Sequence, residues 1–229
     1  MKFALSWSIS RLELPGDWNT SVSSPSRPSG DAGFVMGRLQ VEWDLIQSFM
    51  AEQSDVLVEP LDFTWGAEAL PYKYRFTFQS ETIGRPKGGF ELKDFPLEHF
   101  PICDSVSFDI YLAEAYPVVK PEIYAVSDIW HPNVSPKDGF VCYVNDKTYT
   151  LTVHLTDIVD MLAGVLSWKD IYGNPDDFHR RVEIGDYLNP DAAGWAYGNP
   201  DQIEGFRNQY YEGGAIEFGD EAIQLLAED

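Results

Sequence analysis

Apolar and polar residues alternate with a clean period of two in the stretch that begins at Tyr72. Tyr72, Tyr74, Phe76 and Phe78 are separated by Lys73, Arg75 and Thr77. Successive side chains of a strand point to opposite faces, so this stretch predicts a half-buried β-strand. The signal recurs on both sides. Val56, Val58 and Leu61 predict an earlier strand, Val106, Phe108 and Ile110 a later one, and Ile123 to Val126 a fourth. Residues 81–101 interrupt the pattern with Gly84, Pro86, Gly88, Gly89, Pro96 and Pro101. Tyr116-Pro117-Val118-Val119-Lys120-Pro121 forces a bend, because proline has no N–H for a ladder. Closely spaced strands without helices between them imply an antiparallel meander.

Helical periodicity brackets the meander. Leu39, Trp43, Ile46 and Met50 fall at i, i+4, i+7 and i+11, and Leu45 and Phe49 widen the stripe. They predict an amphipathic helix over 37–52, with Arg38, Glu42 and Asp44 facing water. Leu155, Ile158, Val159, Leu162, Val165 and Leu166 predict a more apolar helix over 153–167, packed on the sheet, with Thr152 as its N-cap. Asn189-Pro190-Asp191 and Asn199-Pro200-Asp201 each offer an Asn cap, a proline at the first helical position and an acid in the first turn. They predict helices near 190–197 and 200–211; a last one is expected near 219–227. Phe3, Leu5, Trp7 and Ile9 suggest a short strand within 1–18, and residues 19–31, rich in Ser, Pro and Gly, a linker. The predicted fold class is α+β: N-terminal helix, four-stranded antiparallel meander, loop, crossover helix and C-terminal helices.

Composition narrows the function. The 229 residues fit one domain with appended tails, and a hydrophobic fraction of 44% supplies a core. Sixteen Lys and Arg face 37 Asp and Glu, a net charge of -21. Nucleic-acid binding depends on neutralising phosphates, so neither nucleic acid nor an anionic membrane is expected as a partner. Two cysteines, Cys103 and Cys142, make no disulfide framework and read as reduced thiols of a cytoplasmic protein. No apolar run approaches the ~20 residues of a spanning helix. Cys103, Cys142, His99, His131, His154 and His179 show no paired ligand spacing, so no metal is expected. Nor is a cofactor: Gly84-Arg85-Pro86-Lys87-Gly88-Gly89 lacks the strand-to-helix setting of a phosphate loop.

The candidate chemistry lies in Trp130-His131-Pro132-Asn133-Val134-Ser135-Pro136-Lys137-Asp138-Gly139-Phe140-Val141-Cys142. Ser135 and Pro136 occupy the first two positions of a predicted type I turn, and Gly139 follows it. Such a turn returns Cys142 toward Asn133. A thiolate attacking an activated carboxyl, or a thioester attacked by an amine, passes through an oxyanion that a side-chain amide can stabilise. Taken alone, a cysteine between Val141 and Tyr143 is more often a small buried hydrophobe.

The wider context resembles the ubiquitin-conjugating enzymes. His131-Pro132-Asn133 matches that family's His-Pro-Asn motif, and Gly139-Phe140-Val141-Cys142 its Gly-x-Ile/Val-Cys ending on the active cysteine. Tyr116-Pro117-Val118-Val119-Lys120-Pro121 is similar to its Tyr-Pro bend, Leu151-Thr152-Val153 to the start of its crossover helix, and Asn174-Pro175-Asp176-Asp177 to the segment facing the cysteine. Leu188-Asn189-Pro190-Asp191-Ala192-Ala193 is similar to its next helix start. The ordered set covers about 35–212. It implies a catalytic domain over 35–212, an N-terminal extension over 1–34 and a C-terminal tail over 213–229, with a short helix in the tail. It further implies Cys142 as the thioester-forming nucleophile and Asn133 as oxyanion stabiliser or loop brace. Asp177 would orient or deprotonate the incoming amine, and His131 and Pro132 would hold the loop. The implied partners are ubiquitin or a ubiquitin-like protein, an activating enzyme and a ligase.

The sequence also departs from the family. One extra residue separates Asn133 from Cys142, the Trp-x-Pro after the cysteine is missing with Tyr149 as its candidate replacement, 168–188 is longer, and the first helix lacks a basic face. These departures describe a divergent member, with a bacterial ubiquitin-like pathway as one setting. Two alternatives stay open: a catalytically inactive module of the same fold that binds a ubiquitin-like protein, and a cysteine hydrolase using His131, His154 or His179 as its base.

Overall fold

The computed structural model describes residues 31–64, 69–87, 95–144, 149–169, 180–183 and 185–211. Its elements are α1 (Asp31–Glu52), β1 (Val56–Phe63), β2 (Pro71–Phe78), β3 (Thr82–Ile83), β4 (Ile102–Cys103), β5 (Val106–Tyr111), β6 (Glu122–Ala125), α2 (Leu155–Leu166), α3 (Pro190–Gly198) and α4 (Pro200–Tyr210). The main sheet has the order β1-β2-β5-β6 with antiparallel neighbours throughout. The fold is α+β, in the predicted order.

Period-two patterning explains the sheet. Phe76 lies opposite Val58 on one side and Phe108 on the other, which aligns the apolar residues on one face. Val56, Val58, Tyr74, Phe76, Phe78, Val106, Phe108, Ile110 and Ile123 are buried there with Leu39 and Ile46 of α1 and the apolar residues of α2. The other face is more exposed and engages its cations: Arg75 Nε and Nη2 lie 2.7 and 3.0 Å from the Asp109 carboxylate, and Lys73 Nζ sits 4.4 Å from the Tyr111 ring centre. A meander with one solvated face needs this arrangement.

All six predicted apolar residues of α2 are buried. Its start differs from expectation. His154, not Thr152, precedes the first helical residue, and its N–H donates to Asp157 Oδ2 at 2.7 Å. α1 begins at Asp31, six residues before the predicted start and inside the span read as an extension. Residues 81–101, expected only to break the sheet, contain β3, which pairs with β4 through Thr82 opposite Cys103 and Ile83 opposite Ile102. The two Asn-Pro-Asp signals do start α3 and α4, but only Asn189 caps as expected, accepting from Ala192 N at 3.1 Å. Asn199 instead donates back to Trp195 O at 2.9 Å and so closes the helix before it. The strand expected in 1–18 and the helix expected near 219–227 lie outside the described residues.

A second core sits at the far end of α2. Ile83, Phe100, Trp130, Trp168, Ala192, Trp195, Ala196, Ile203 and Phe206 form it, joining β3 to α3 and α4. The loop 131–142 begins in this second core, after Trp130, and ends in the first, through Val134 and Val141.

Candidate active site

The loop is a hairpin grafted onto the sheet. Val134 and Val141 pair as an antiparallel bridge, Ser135 N donates to Phe140 O at 2.8 Å, and Cys142 N donates to Asn133 O at 2.8 Å. Asn133 and Cys142 are therefore direct neighbours across the hairpin, as the predicted turn required. The turn itself is one residue longer than a type I turn, closing through Gly139 N to Ser135 O at 3.0 Å. Gly139 has φ +78, and a Cβ at this position would lie 2.5 Å from Ala125 O. Only glycine allows that close approach at that angle. Asp138 finishes the turn: the Ser135 hydroxyl and the Phe140 N–H hold its carboxyl below the usual carboxylate range.

The returning arm runs beside β6 and pairs with it through an isolated antiparallel bridge, Tyr124 opposite Phe140. Ala125 N donates to Gly139 O at 2.8 Å and Val141 N to Ile123 O at 2.9 Å. The Tyr124 and Phe140 rings meet edge-on at 5.7 Å. Cys142 is the next residue, half-buried at the end of a sheet-paired arm. Beyond it, Tyr143 Oη donates to Pro121 O at 2.9 Å and Lys120 Nζ to Val144 O at 3.0 Å, tying the chain to the Tyr-Pro bend.

His131 fixes the outgoing arm. It is 2% exposed, and its Nδ1 accepts the Asn133 N–H at 3.0 Å. Burial lowers its pKa to about 3, so the ring is neutral. An accepting Nδ1 on a neutral ring puts the proton on Nε2. Pro132 is buried, and its carbonyl accepts Asn189 N at 2.9 Å, which joins the loop to the start of α3.

A polar cluster between α1, the Tyr-Pro bend and the start of α2 goes against the sequence-based expectation. Arg38 and Glu42 were expected to face water, yet Glu42 is 0% exposed and Arg38 turns inward to it. Glu42 Oε1 accepts from Arg38 Nε and Tyr116 Oη, both at 2.6 Å, and lies 3.1 Å from His154 Nδ1. Glu42 Oε2 accepts Leu155 N at 2.8 Å. Arg38 also donates to Leu151 O at 2.8 Å and Val153 O at 2.5 Å. One carboxylate thereby binds α1, the Tyr-Pro bend and the start of α2. The sequence does carry a signal for it: Glu42 stands at i+3 from Leu39 and beside Trp43, on the apolar stripe, with Arg38 one turn earlier.

Of the three histidines considered as a base, His131 is engaged with Asn133 N and His154 with Glu42, while His179 lies outside the described residues. Asp177 and the rest of Asn174–Asp177 lie outside them too. Cys103 is half-buried, and burial pushes its thiol pKa up. Among the described residues no group of three or more His, Cys, Asp or Glu could hold a metal ion, and none of their helices is long and apolar enough to cross a membrane.

Neither a protein-family model nor a curated protein matches the sequence. Solved structures do. A Plasmodium yoelii protein assigned as a ubiquitin conjugating enzyme aligns over 81% of this chain and 97% of its own, with a TM-score of 0.46 at 16% identity. The E2 domain of a Toxoplasma gondii ubiquitin conjugating enzyme aligns over 77% and 98%, with a TM-score of 0.44 at 15% identity. Both neighbours carry the same family description. At such identities the likeness concerns shape and extends to neither activity nor partners.

Proposed function

We propose that the chain is a divergent carrier enzyme of the ubiquitin-conjugating type, which holds ubiquitin or a ubiquitin-like protein as a thioester on Cys142. The observation that carries this reading is the antiparallel pairing of Asn133 with Cys142 at the end of the His-Pro-Asn loop. The hairpin brings a thiol and a side-chain amide onto neighbouring backbone positions, and the ordered motifs around it are those of the family that the sequence resembles.

In this reading an activating enzyme presents the modifier's C-terminal acyl group as a thioester. The Cys142 thiolate attacks the acyl carbon, the new C–S bond forms, and the activating enzyme's thiolate leaves. A substrate amine, usually lysine, then attacks the Cys142 thioester. The amide bond forms, Cys142 leaves as thiolate, and the amine's proton passes to a base, the role proposed for Asp177. The Asn133 amide stabilises the oxyanion at each step or braces the loop; His131, being neutral, braces. The catalytic domain is assigned to 35–212, with 1–34 and 213–229 flanking it, in a cytoplasmic setting, and with the activating enzyme and a ligase as further partners.

The test is a non-reducing gel with the cognate activating enzyme, ubiquitin-like protein and ATP. A thiol-sensitive adduct is expected with the native chain and is lost in Cys142→Ala. An adduct that persists in Cys142→Ala, or affinity for the modifier with no adduct at all, overturns the carrier reading; the second result favours the non-catalytic binding module.

A further inference from the structure

Trp168 occupies a backbone position where a tryptophan is costly. Its φ is +58, the only positive φ of a residue other than glycine among the described residues. The hydrogen bonds around it explain the position. Lys169 N donates to Gly164 O at 3.0 Å and Trp168 N to Val165 O at 3.2 Å. This nested pair closes a helix through a left-handed residue just past its end, a place that glycine usually takes. A side chain there costs about 1–2 kcal/mol. Strain of this kind persists where the surroundings hold it, and it gathers at functional sites.

The indole supplies the reason. Trp168 is 0% exposed, with ring centres 6.4 Å from Trp130 and 6.0 Å from Trp195. Nearest among the described residues is the imidazole of His131, at 4.9 Å and an interplanar angle of 68°. His131 Nε2, the nitrogen left with the proton, is buried and has no hydrogen-bond acceptor among the described residues. A buried N–H with no acceptor is expensive, and an aromatic face is a weak but real substitute.

We propose that Trp168 is a positioning residue for the Cys142 loop: from the left-handed position ending α2 it offers its indole face to the Nε2–H of His131, and so fixes the tautomer whose Nδ1 holds the Asn133 N–H. The end of α2 is thereby coupled to the arm that carries Asn133 and pairs with Cys142. The consequence for chemistry rests on the thioester reading of Cys142; the ring contact itself does not.

The test uses the full chain and needs no modifier. In the protein labelled with ¹⁵N-histidine, His131 is assigned by its loss in His131→Asn. It should show a proton on Nε2 and none on Nδ1, with the Nε2–H resonance displaced upfield by the indole ring current. Alkylation of Cys142 by iodoacetamide, resolved from Cys103 by peptide mass spectrometry, then reads the loop. Trp168→Ala should abolish the upfield shift and speed alkylation of Cys142 by roughly two- to fivefold, the worth of one such contact. Trp168→Phe, which keeps an aromatic face, should restore both. A proton on Nδ1, an unshifted Nε2–H in the native chain, or a Cys142 rate unchanged in Trp168→Ala would overturn the proposal. The native-chain spectrum decides the contact even if Trp168→Ala does not fold. Failure here is distinct from absence of an adduct with the activating enzyme, which bears only on the carrier reading.

Discussion

Single residues hold the Cys142 hairpin in place, and Gly139 bears the sharpest constraint. Gly139→Ala combines a left-handed backbone cost of about 1–2 kcal/mol with a Cβ 2.5 Å from Ala125 O, a backbone atom that cannot swing away. The arm should lift from β6. We expect the Ala125 amide to lose its protection from hydrogen exchange and adduct formation to fall. Gly185 provides the control: its φ is +69, but a Cβ there meets none of the described residues within 4 Å, so Gly185→Ala should strain the backbone and leave the Ala125 amide protected. His131 makes a pH-dependent contribution. Its pKa is held near 3 in the folded chain against about 6.5 unfolded. Between these values the unfolded state binds more protons, so the contribution is full above pH 6.5 and declines as pH falls toward 3. Its slope approaches ~1.4 kcal/mol per pH unit. His131→Asn keeps an acceptor near the Nδ1 position and cannot titrate. Urea unfolding at pH 7, 6 and 5 should therefore show the native chain losing stability relative to the variant; parallel curves would mean that the imidazole is not buried and neutral. At this scale the sequence is informative where local chemistry decides, as in the return of Cys142 to Asn133 through the Ser135–Gly139 turn. It is silent on Trp168, because no local signal asks for tryptophan where glycine is the norm.

Among the elements, the junction of α1 with α2 depends on Glu42. Removing one partner of a buried, hydrogen-bonded charge pair leaves the other uncompensated, at about 3–5 kcal/mol. Glu42→Ala would take the carboxylate from Arg38, leaving its charge with only backbone carbonyls, and would leave Leu155 N without its acceptor. We expect a loss of that order in urea unfolding. Arg38→Met combined with Glu42→Leu should lose less than Glu42→Ala alone, since apolar residues of similar size commonly replace buried ion pairs at little cost. A single-variant loss below ~1 kcal/mol would show that the clasp does not hold the helices together. The elements most legible in the sequence are those whose period matches their burial: the alternation of β2, and α2 with its six buried apolar positions. Glu42 misleads wherever charge is set above position, although its spacing from Leu39 and Ile46 already places it on the buried stripe. β3 and β4 are two-residue strands, too short to show any period. Asn199 has the pattern of a cap for the helix after it, whereas its amide serves the one before; both ends meet at that residue, and sequence cannot rank them.

For the whole molecule, net charge outweighs any single ion pair. With 16 Lys and Arg against 37 Asp and Glu, acidic residues outnumber basic ones by 21. Folding concentrates these charges, so their mutual repulsion opposes the compact state. The exposed pairs, such as Arg181–Asp186 at 3.2 Å, are each worth little and do not offset it. Salt weakens both effects, because the screening length shrinks to about 10 Å at 0.1 M. The repulsion is summed over many exposed groups at long range and should be screened more than the few close pairs. Glu42, buried between α1 and α2, is largely beyond the reach of salt. The melting temperature should therefore rise as sodium chloride is added from about 10 to 150 mM, a range over which the screening length falls from about 30 to 8 Å. The rise should be the same in the native chain and in the Arg38→Met, Glu42→Leu variant. A melting temperature that falls with salt would instead mean that close surface pairs outweigh the excess of negative charge. A rise that disappears in the double variant would assign the effect to the Glu42 clasp rather than to the molecule's overall field.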